Sequence, residues 1–362
     1  MIPAGHPQRA RLEKLRRLFD GLGIDAFLVT FLPHLRYFSG FSGSSGIGLV
    51  TRKSASFVTD GRYAQQIRNE VKGWQTFIAP ESSFEEIRKQ KLIRPGWRVA
   101  VDGNALILSH YKQLKKLFPA VRFVPKVDVV EQIASIKDAS EIDSIKKAVL
   151  ITDKVFLEIL ELIAPDVSEL DIAAEISYRQ RRHGADGDAF EPIVVSGERG
   201  ALPHGKPTAK KMRWGEFVTL DFGCVVHGYH SDLTRTIALG RPSPEARKIH
   251  DVVLTAQLRA IEAAKSGIKA SELDAVARNY IKAEGYDKHF RHSLGHGLGL
   301  QIHEAPRISV QSKAILAAGN VVTIEPGIYV PKLGGVRIED DIVIADGQCE
   351  ILNRSPKNLI IV

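Results

Sequence analysis

Asp221 and Asp232 sit in two strand-like runs, Phe217–Phe222 and Ser231–Ile237, with the turn dipeptide His227-Gly228 between them. An even-length hairpin loop centred between Val226 and His227 predicts that the two carboxylates stand directly opposed on one face, with Cβ atoms about 5 Å apart. Like charges so placed repel, so the pair calls for a cation between them or a strongly raised pKa. The design recurs downstream. Glu325 precedes Pro326-Gly327, and Glu339 closes Gly335-Val-Arg-Ile-Glu339, where Val336 and Ile338 alternate with Arg337 and Glu339. Four carboxylates are thus expected to converge, and Asp340 and Asp341 extend an acidic cluster that would be costly without bound cations.

The glycine-rich stretch Gly295–Glu304 adds two imidazoles, His296 and His303, where the backbone can approach a ligand closely. Neither histidine fits a zinc-type HExxH helix, and the stretch lacks the lysine and strand-to-helix context of a phosphate loop. Oxygen ligands with a single histidine suit two hard or borderline divalent ions, Mn²⁺ first, with Co²⁺ or Zn²⁺ as alternatives. Such an ion pair, about 3.5–4 Å apart, is a device for activating a hydrolytic water. His227, His230, His250 and His292 are read as structural or peripheral, and Tyr229 as a candidate cavity residue.

A duplication must position these groups. Ser168-Glu-Leu-Asp171 recurs as Ser271-Glu-Leu-Asp274, each read as a serine-capped amphipathic helix ending at Gly184 or Gly285. Gly215-Glu-Phe-Val-Thr-Leu-Asp-Phe-Gly223 recurs as Gly319-Asn-Val-Val-Thr-Ile-Glu-Pro-Gly327 at nearly the same offset. Each half reads as two helices followed by two strands. A pseudo-twofold axis relating the halves would bring Asp221 and Glu325 together.

At 362 residues the chain exceeds the size of one ordinary core. Residues 1–135 alternate helical and strand-like segments, as in a self-contained α/β domain, and residues 136–362 hold the duplicated domain; the next helix is expected to start at Asp138 with Glu141 as its capping partner. The fold class is therefore α/β (α+β). The composition, 44% hydrophobic and 25% charged, suits a water-soluble protein, and no run reaches the roughly eighteen apolar residues of a membrane span. The N-terminus carries no visible secretory signal, and two cysteines, Cys224 and Cys349, are too few for a disulfide framework, so a cytoplasmic location is expected. The net charge of +8 is spread among acids, and the basic run Arg9–Arg17 alternates with Leu12, Leu15 and Leu18 as on a solvated helix face, so nucleic acid is not expected as a partner.

Five segments, Thr219–Gly223, Ser231–Thr236, Gly295–Glu304, Ile324–Gly327 and Val336–Glu339, resemble the creatinase and methionine aminopeptidase family and, within it, the proline peptidases. The likeness spans nearly the whole chain, with Tyr37–Gly43 and Thr59–Tyr63 similar to the extra N-terminal domain of that branch. It implies a "pitta-bread" second domain and five metal ligands, Asp221, Asp232, His296, Glu325 and Glu339. It also implies a homodimer formed through the N-terminal domain, which would rim the active site.

On the same resemblance His204, in Leu202-Pro-His-Gly205, assists the tetrahedral intermediate, His303 contacts substrate near the scissile carbonyl, and Glu325 shuttles the proton. Arg337 is read as holding the carboxylates in place. The activity so implied is cleavage of the bond before proline at the N-terminus of short peptides with proline second, an Xaa-Pro aminopeptidase. Xaa-Pro dipeptidase is the alternative, and a non-catalytic protein- or nucleic-acid-binding scaffold the remote one. Creatinase-type hydrolysis is set aside, because that branch lacks these ligands.

Overall fold

A computed structural model describes residues 7–362. Residues 1–6, on which the expected lack of an export signal largely rests, lie outside the described residues. The chain divides into two compact units, residues 1–134 and 135–362.

The first unit is built on one six-stranded mixed sheet. Its strand order is Gln75–Ala79, Ala55–Asp60, Ile47–Thr51, Ala26–Val29, Arg98–Asp102 and Arg122–Lys126. Ala26–Val29 pairs antiparallel with Ile47–Thr51 but parallel with Arg98–Asp102. Helices Leu32–Ser39, Ser83–Lys89 and Leu108–Leu117 punctuate the strands. The N-terminal helix ends at Arg17; Leu12 and Leu15 are buried, whereas Leu18 lies beyond the helix and is 39% exposed.

The second unit shows the duplication. Helices Ala139–Leu160 and Glu169–Arg182 bury Val155, Ile159, Ile172 and Ile176 against the sheet formed by Ile193–Ser196, Phe217–Phe222 and Leu233–Ala238. Helices Pro244–Ala263 and Ala270–Ala283 bury Val253, Ala256, Leu273 and Ile281 with Val322, Ile324 and Ile342 of the second half. Each fully buried aliphatic side chain contributes roughly 1.5–3 kcal/mol of transfer free energy, so these faces hold the strands beneath them. Asp138 and Glu141 form the expected capping box. Ser168 also caps its helix, but Ser271 does not: that helix starts at Ala270, which puts Ser271 inside its first turn.

The inner edges of the two hairpins meet. Glu339 N–H donates to Thr234 O at 3.1 Å, and Arg337 N–H donates to Thr236 Oγ1 at 3.1 Å. Carboxylates from both halves therefore reach one place. Among the described residues no helix is long and apolar enough to cross a membrane.

Candidate metal centre

The first hairpin turns through His227 and Gly228, with φ of 51° and 79°, between the paired residues Val226 and Tyr229. Two successive positive-φ residues make a two-residue turn, which sets the register around a centre between His227 and Gly228. Asp221 accordingly faces Thr234, and Asp232 lies just before Leu233. The expected direct opposition of Asp221 and Asp232 is thus corrected by one residue of loop position; they are diagonal neighbours. In the second hairpin Ile324 faces Asp340 and Gly327 faces Arg337, a register that sets Glu325 against Glu339.

Asp221, Asp232, His296, Glu325 and Glu339 all line one cavity of about 550 Å³, together with His204, His303 and Arg337. His296 sits on the strand Gly295–Gly297. A Cβ on Gly295 would fall 1.9 Å from Thr323 O, so only glycine lets this strand approach closely enough to bring His296 to Glu325. His296 Nδ1 lies 3.0 Å from Gly297 O. A carbonyl only accepts, so Nδ1 carries the proton and the Nε2 lone pair points at Asp232 Oδ2, 3.7 Å away, and Glu325 Oε1, 3.4 Å away. Burial pushes this imidazole down to about 4, so the ring is neutral.

The carboxylates move the other way. Burial, then Glu339, raises both Asp232 and Glu325 well above the usual range. Burial, then Asp221, pushes Glu339 up to about 8. Asp232 Oδ1 and Glu339 Oε1 are buried with no hydrogen-bond partner among the described residues. Asp232, His296 and Glu339 each offer a ligand atom within 4.8 Å of the others. Crowded carboxylates, orphaned lone pairs and a neutral imidazole facing inward are a donor set that fits divalent cations.

Arg337 organises the wall behind them. Its guanidinium pairs with Asp221 Oδ2, donates to Thr234 Oγ1 at 3.1 Å, and reaches Tyr329 Oη at 2.7 Å and Pro203 O at 3.2 Å. Thr234 Oγ1 in turn donates to Glu339 Oε2 at 2.6 Å. Asp340 and Asp341 are not in the cavity. Strand alternation carries Asp340 to the opposite side, where Arg235, Lys357 and Gln257 neutralise it, and Asp341 accepts the backbone N–H of Asp232 at 2.9 Å. Of the two acids expected to extend the cluster, Asp340 is neutralised away from it, whereas Asp341, though outside the cavity, is raised by burial and helps to raise Asp232.

Two further expectations are corrected. His292 lines the cavity. Its Nδ1–H donates to Ser293 O at 2.8 Å, leaving Nε2 to accept from Tyr329 Oη at 3.0 Å. Its place four residues ahead of His296 was the available signal. Tyr229 is buried and donates to Glu141 at 3.0 Å; the tyrosine in the cavity is Tyr329. Phe190, Ile193, Pro203 and Ile302 form an apolar part of the wall, and Ser293, Glu304 and Arg307 border the cavity as well.

Known proteins align with both units. Residues 143–346 match the model of metallopeptidase family M24, and residues 11–136 match the creatinase/prolidase N-terminal domain. The chain belongs to metallopeptidase family M24, with a creatinase-type α/β domain ahead of a pitta-bread domain. Among solved structures it is similar to an Xaa-Pro dipeptidase from Bacillus anthracis, 41% identical over 98% of this chain and 100% of that one, with a TM-score of 0.95. An X-Pro aminopeptidase from Thermotoga maritima is 37% identical over 96% and 100%, with a TM-score of 0.89. An Xaa-Pro dipeptidase of Pyrococcus horikoshii is 37% identical over 97% of this chain and 98% of the relative.

Proposed function

We propose that this metallopeptidase hydrolyses the Xaa-Pro bond of dipeptides. The observation that carries the reading is Arg307, an exposed guanidinium on the cavity wall with no ion pair or hydrogen bond among the described residues. Arg337 is already committed to Asp221. An Xaa-Pro dipeptide presents its proline carboxylate beyond the scissile bond, where a free guanidinium can take it in a bidentate pair; a longer peptide presents an amide there. The Bacillus anthracis and Pyrococcus horikoshii relatives, both named as Xaa-Pro dipeptidases, support the same choice. The Xaa-Pro aminopeptidase expected from the sequence remains as a second reading, favoured by the name of the Thermotoga maritima structure.

The residues divide the work as follows. Asp221, Asp232, His296, Glu325 and Glu339 would hold two divalent ions, taken to be Mn²⁺, which supply a polarised water and charge stabilisation of the scissile carbonyl. Glu325, its proton affinity raised by burial and Glu339, accepts the proton of the attacking water and delivers it to the proline nitrogen. His303 is pushed below the usual histidine range by burial and His204, so it meets the carbonyl oxygen as a neutral N–H donor beside His204. Phe190, Ile193 and Ile302 receive the proline ring and exclude water. Homodimerisation through the N-terminal unit and a cytoplasmic location complete the reading.

The test compares Ala-Pro with Ala-Pro-Ala in the presence of Mn²⁺. A dipeptidase prefers Ala-Pro in kcat/KM by about tenfold or more, the worth of one charged hydrogen bond. The reverse preference establishes the aminopeptidase, and cleavage of neither leaves the scaffold reading.

A further inference from the structure

A buried ion pair joins the start of the second unit to the loop that carries His303. Lys137 and Glu304 are 167 residues apart in sequence, and Lys137 Nζ donates to Glu304 Oε2 at 2.9 Å. Their side chains are only 1% and 10% exposed. Glu304 Oε1 accepts the backbone N–H of Gln301 at 2.9 Å, so one carboxylate ties the far side of the loop to its own tip.

Lys137 is itself firmly anchored. Its backbone N–H donates to Gly319 O at 2.8 Å, Ile136 bridges Asn320, and Asn320 Nδ2 donates to Ser135 O at 2.9 Å. At the near end of the loop, His230 N–H donates to Gly299 O at 2.8 Å. A Cβ on Gly299 would come within 2.7 Å of Glu304 Oε2 and 2.9 Å of Lys137 Cε, so the ion pair fills the space a side chain would take.

His303 lies between these two anchors. Its ring stands edge-on to His296, with centroids 4.4 Å apart, yet it makes no hydrogen bond of its own among the described residues. The backbone of residues 298–304 is what aims it. Burying two charges gains little stability over apolar residues of the same size, whereas leaving one of them alone is costly. A pair of this kind is best explained by the geometry it enforces.

We infer that the Lys137–Glu304 pair is the positioning element for His303, and through it a determinant of turnover. The inference rests on the role proposed above for His303. Neither side chain is a ligand candidate, and Glu304, though it borders the cavity, has both oxygens occupied.

The test uses the full chain with Lys137→Met, Glu304→Gln, His303→Ala and the pairwise double variants. Lys137→Met is expected to lower kcat/KM by about 10–100-fold, mostly in kcat, because a shift of about 1 Å in a positioned group costs up to that much. Bound metal per chain stays unchanged. In the His303→Ala background the same substitution costs less than about twofold, since two residues acting through one group do not add. Hydrogen exchange of residues 298–305 accelerates in Lys137→Met and Glu304→Gln, with the rest of the chain unaffected. If Lys137→Met fails to fold, the near-isosteric Glu304→Gln carries the same comparison. Equal losses in the two backgrounds, wild-type turnover, or unchanged loop exchange would each overturn the inference. Failure of the wild type to cut any Xaa-Pro substrate would strike the functional reading instead, and the exchange measurement would still decide the role of the pair.

Discussion

Asp232 Oδ1 and Glu339 Oε1 border the same cavity, and neither has a hydrogen-bond partner among the described residues. Burial and mutual repulsion make the metal-free site a strained one, so Asp232→Asn should act in opposite directions with and without metal. Without metal, relieving about 1–2 kcal/mol of repulsion should raise Tm by several degrees. With Mn²⁺, the Tm gain of the wild type should vanish and kcat/KM should fall at least ~100-fold. Paired thermal unfolding and metal analysis check this.

Stability of the metal-free protein should depend on pH with a sign the carboxylates set. Glu339 is pushed to about 8 from an ordinary value of 4.5, so the folded chain keeps a proton that the unfolded chain releases. That contribution is fully present below pH 4.5 and is lost as pH rises through 8. His292 and His296, pushed down to about 3 and about 4 by burial, act the opposite way below their ordinary 6.5. The clean window is therefore pH 6.5 to 8, where denaturant midpoints should fall, by up to about 1.4 kcal/mol per pH unit per proton. Saturating Mn²⁺ should abolish the slope.

Arg337→Lys should not be conservative. The guanidinium serves Asp221, Thr234, Tyr329 and Pro203 at once, and an ammonium has neither the planar fork nor the reach to do so. Loss of the buried pair is expected to cost about 3–5 kcal/mol. Chemical denaturation reads that loss, and a cost under about 1 kcal/mol would show that Arg337 is not the organiser of this wall.

Arg307→Gln should separate the two proline-peptidase readings. Loss of a bidentate carboxylate contact predicts a KM for Ala-Pro raised by about tenfold or more. Hydrolysis of Ala-Pro-amide, which has no carboxylate, should change little.

The parts legible in the sequence were those written twice. The repeat of Phe217–Asp221 in Val321–Glu325 announced a paired set of strands, and the five ligand candidates share one cavity because the hairpins meet along Thr234–Thr236 and Arg337–Glu339. Register was harder to read: His227-Gly228 marked the turn, but only its two positive-φ residues decide which residues face each other across it. Asp340 looked like Glu339 in sequence, and one step of strand alternation sends it to Arg235 and Lys357 instead. His292 stands four residues ahead of His296, a spacing that could have marked it, whereas Tyr329 and Arg307 come from separate segments and meet the ligand candidates only in the folded cavity.

The central claim is metal-dependent hydrolysis of an Xaa-Pro bond at this cavity. Metal-stripped protein assayed on Ala-Pro and on Ala-Ala, before and after addition of Mn²⁺ and beside Asp232→Ala, tests it most directly. The account predicts no turnover without metal, restored cleavage of Ala-Pro but not Ala-Ala with Mn²⁺, and no restoration in Asp232→Ala. Ala-Pro left intact by the reloaded wild type with Mn²⁺ or Co²⁺, or cut equally well by Asp232→Ala, would contradict it.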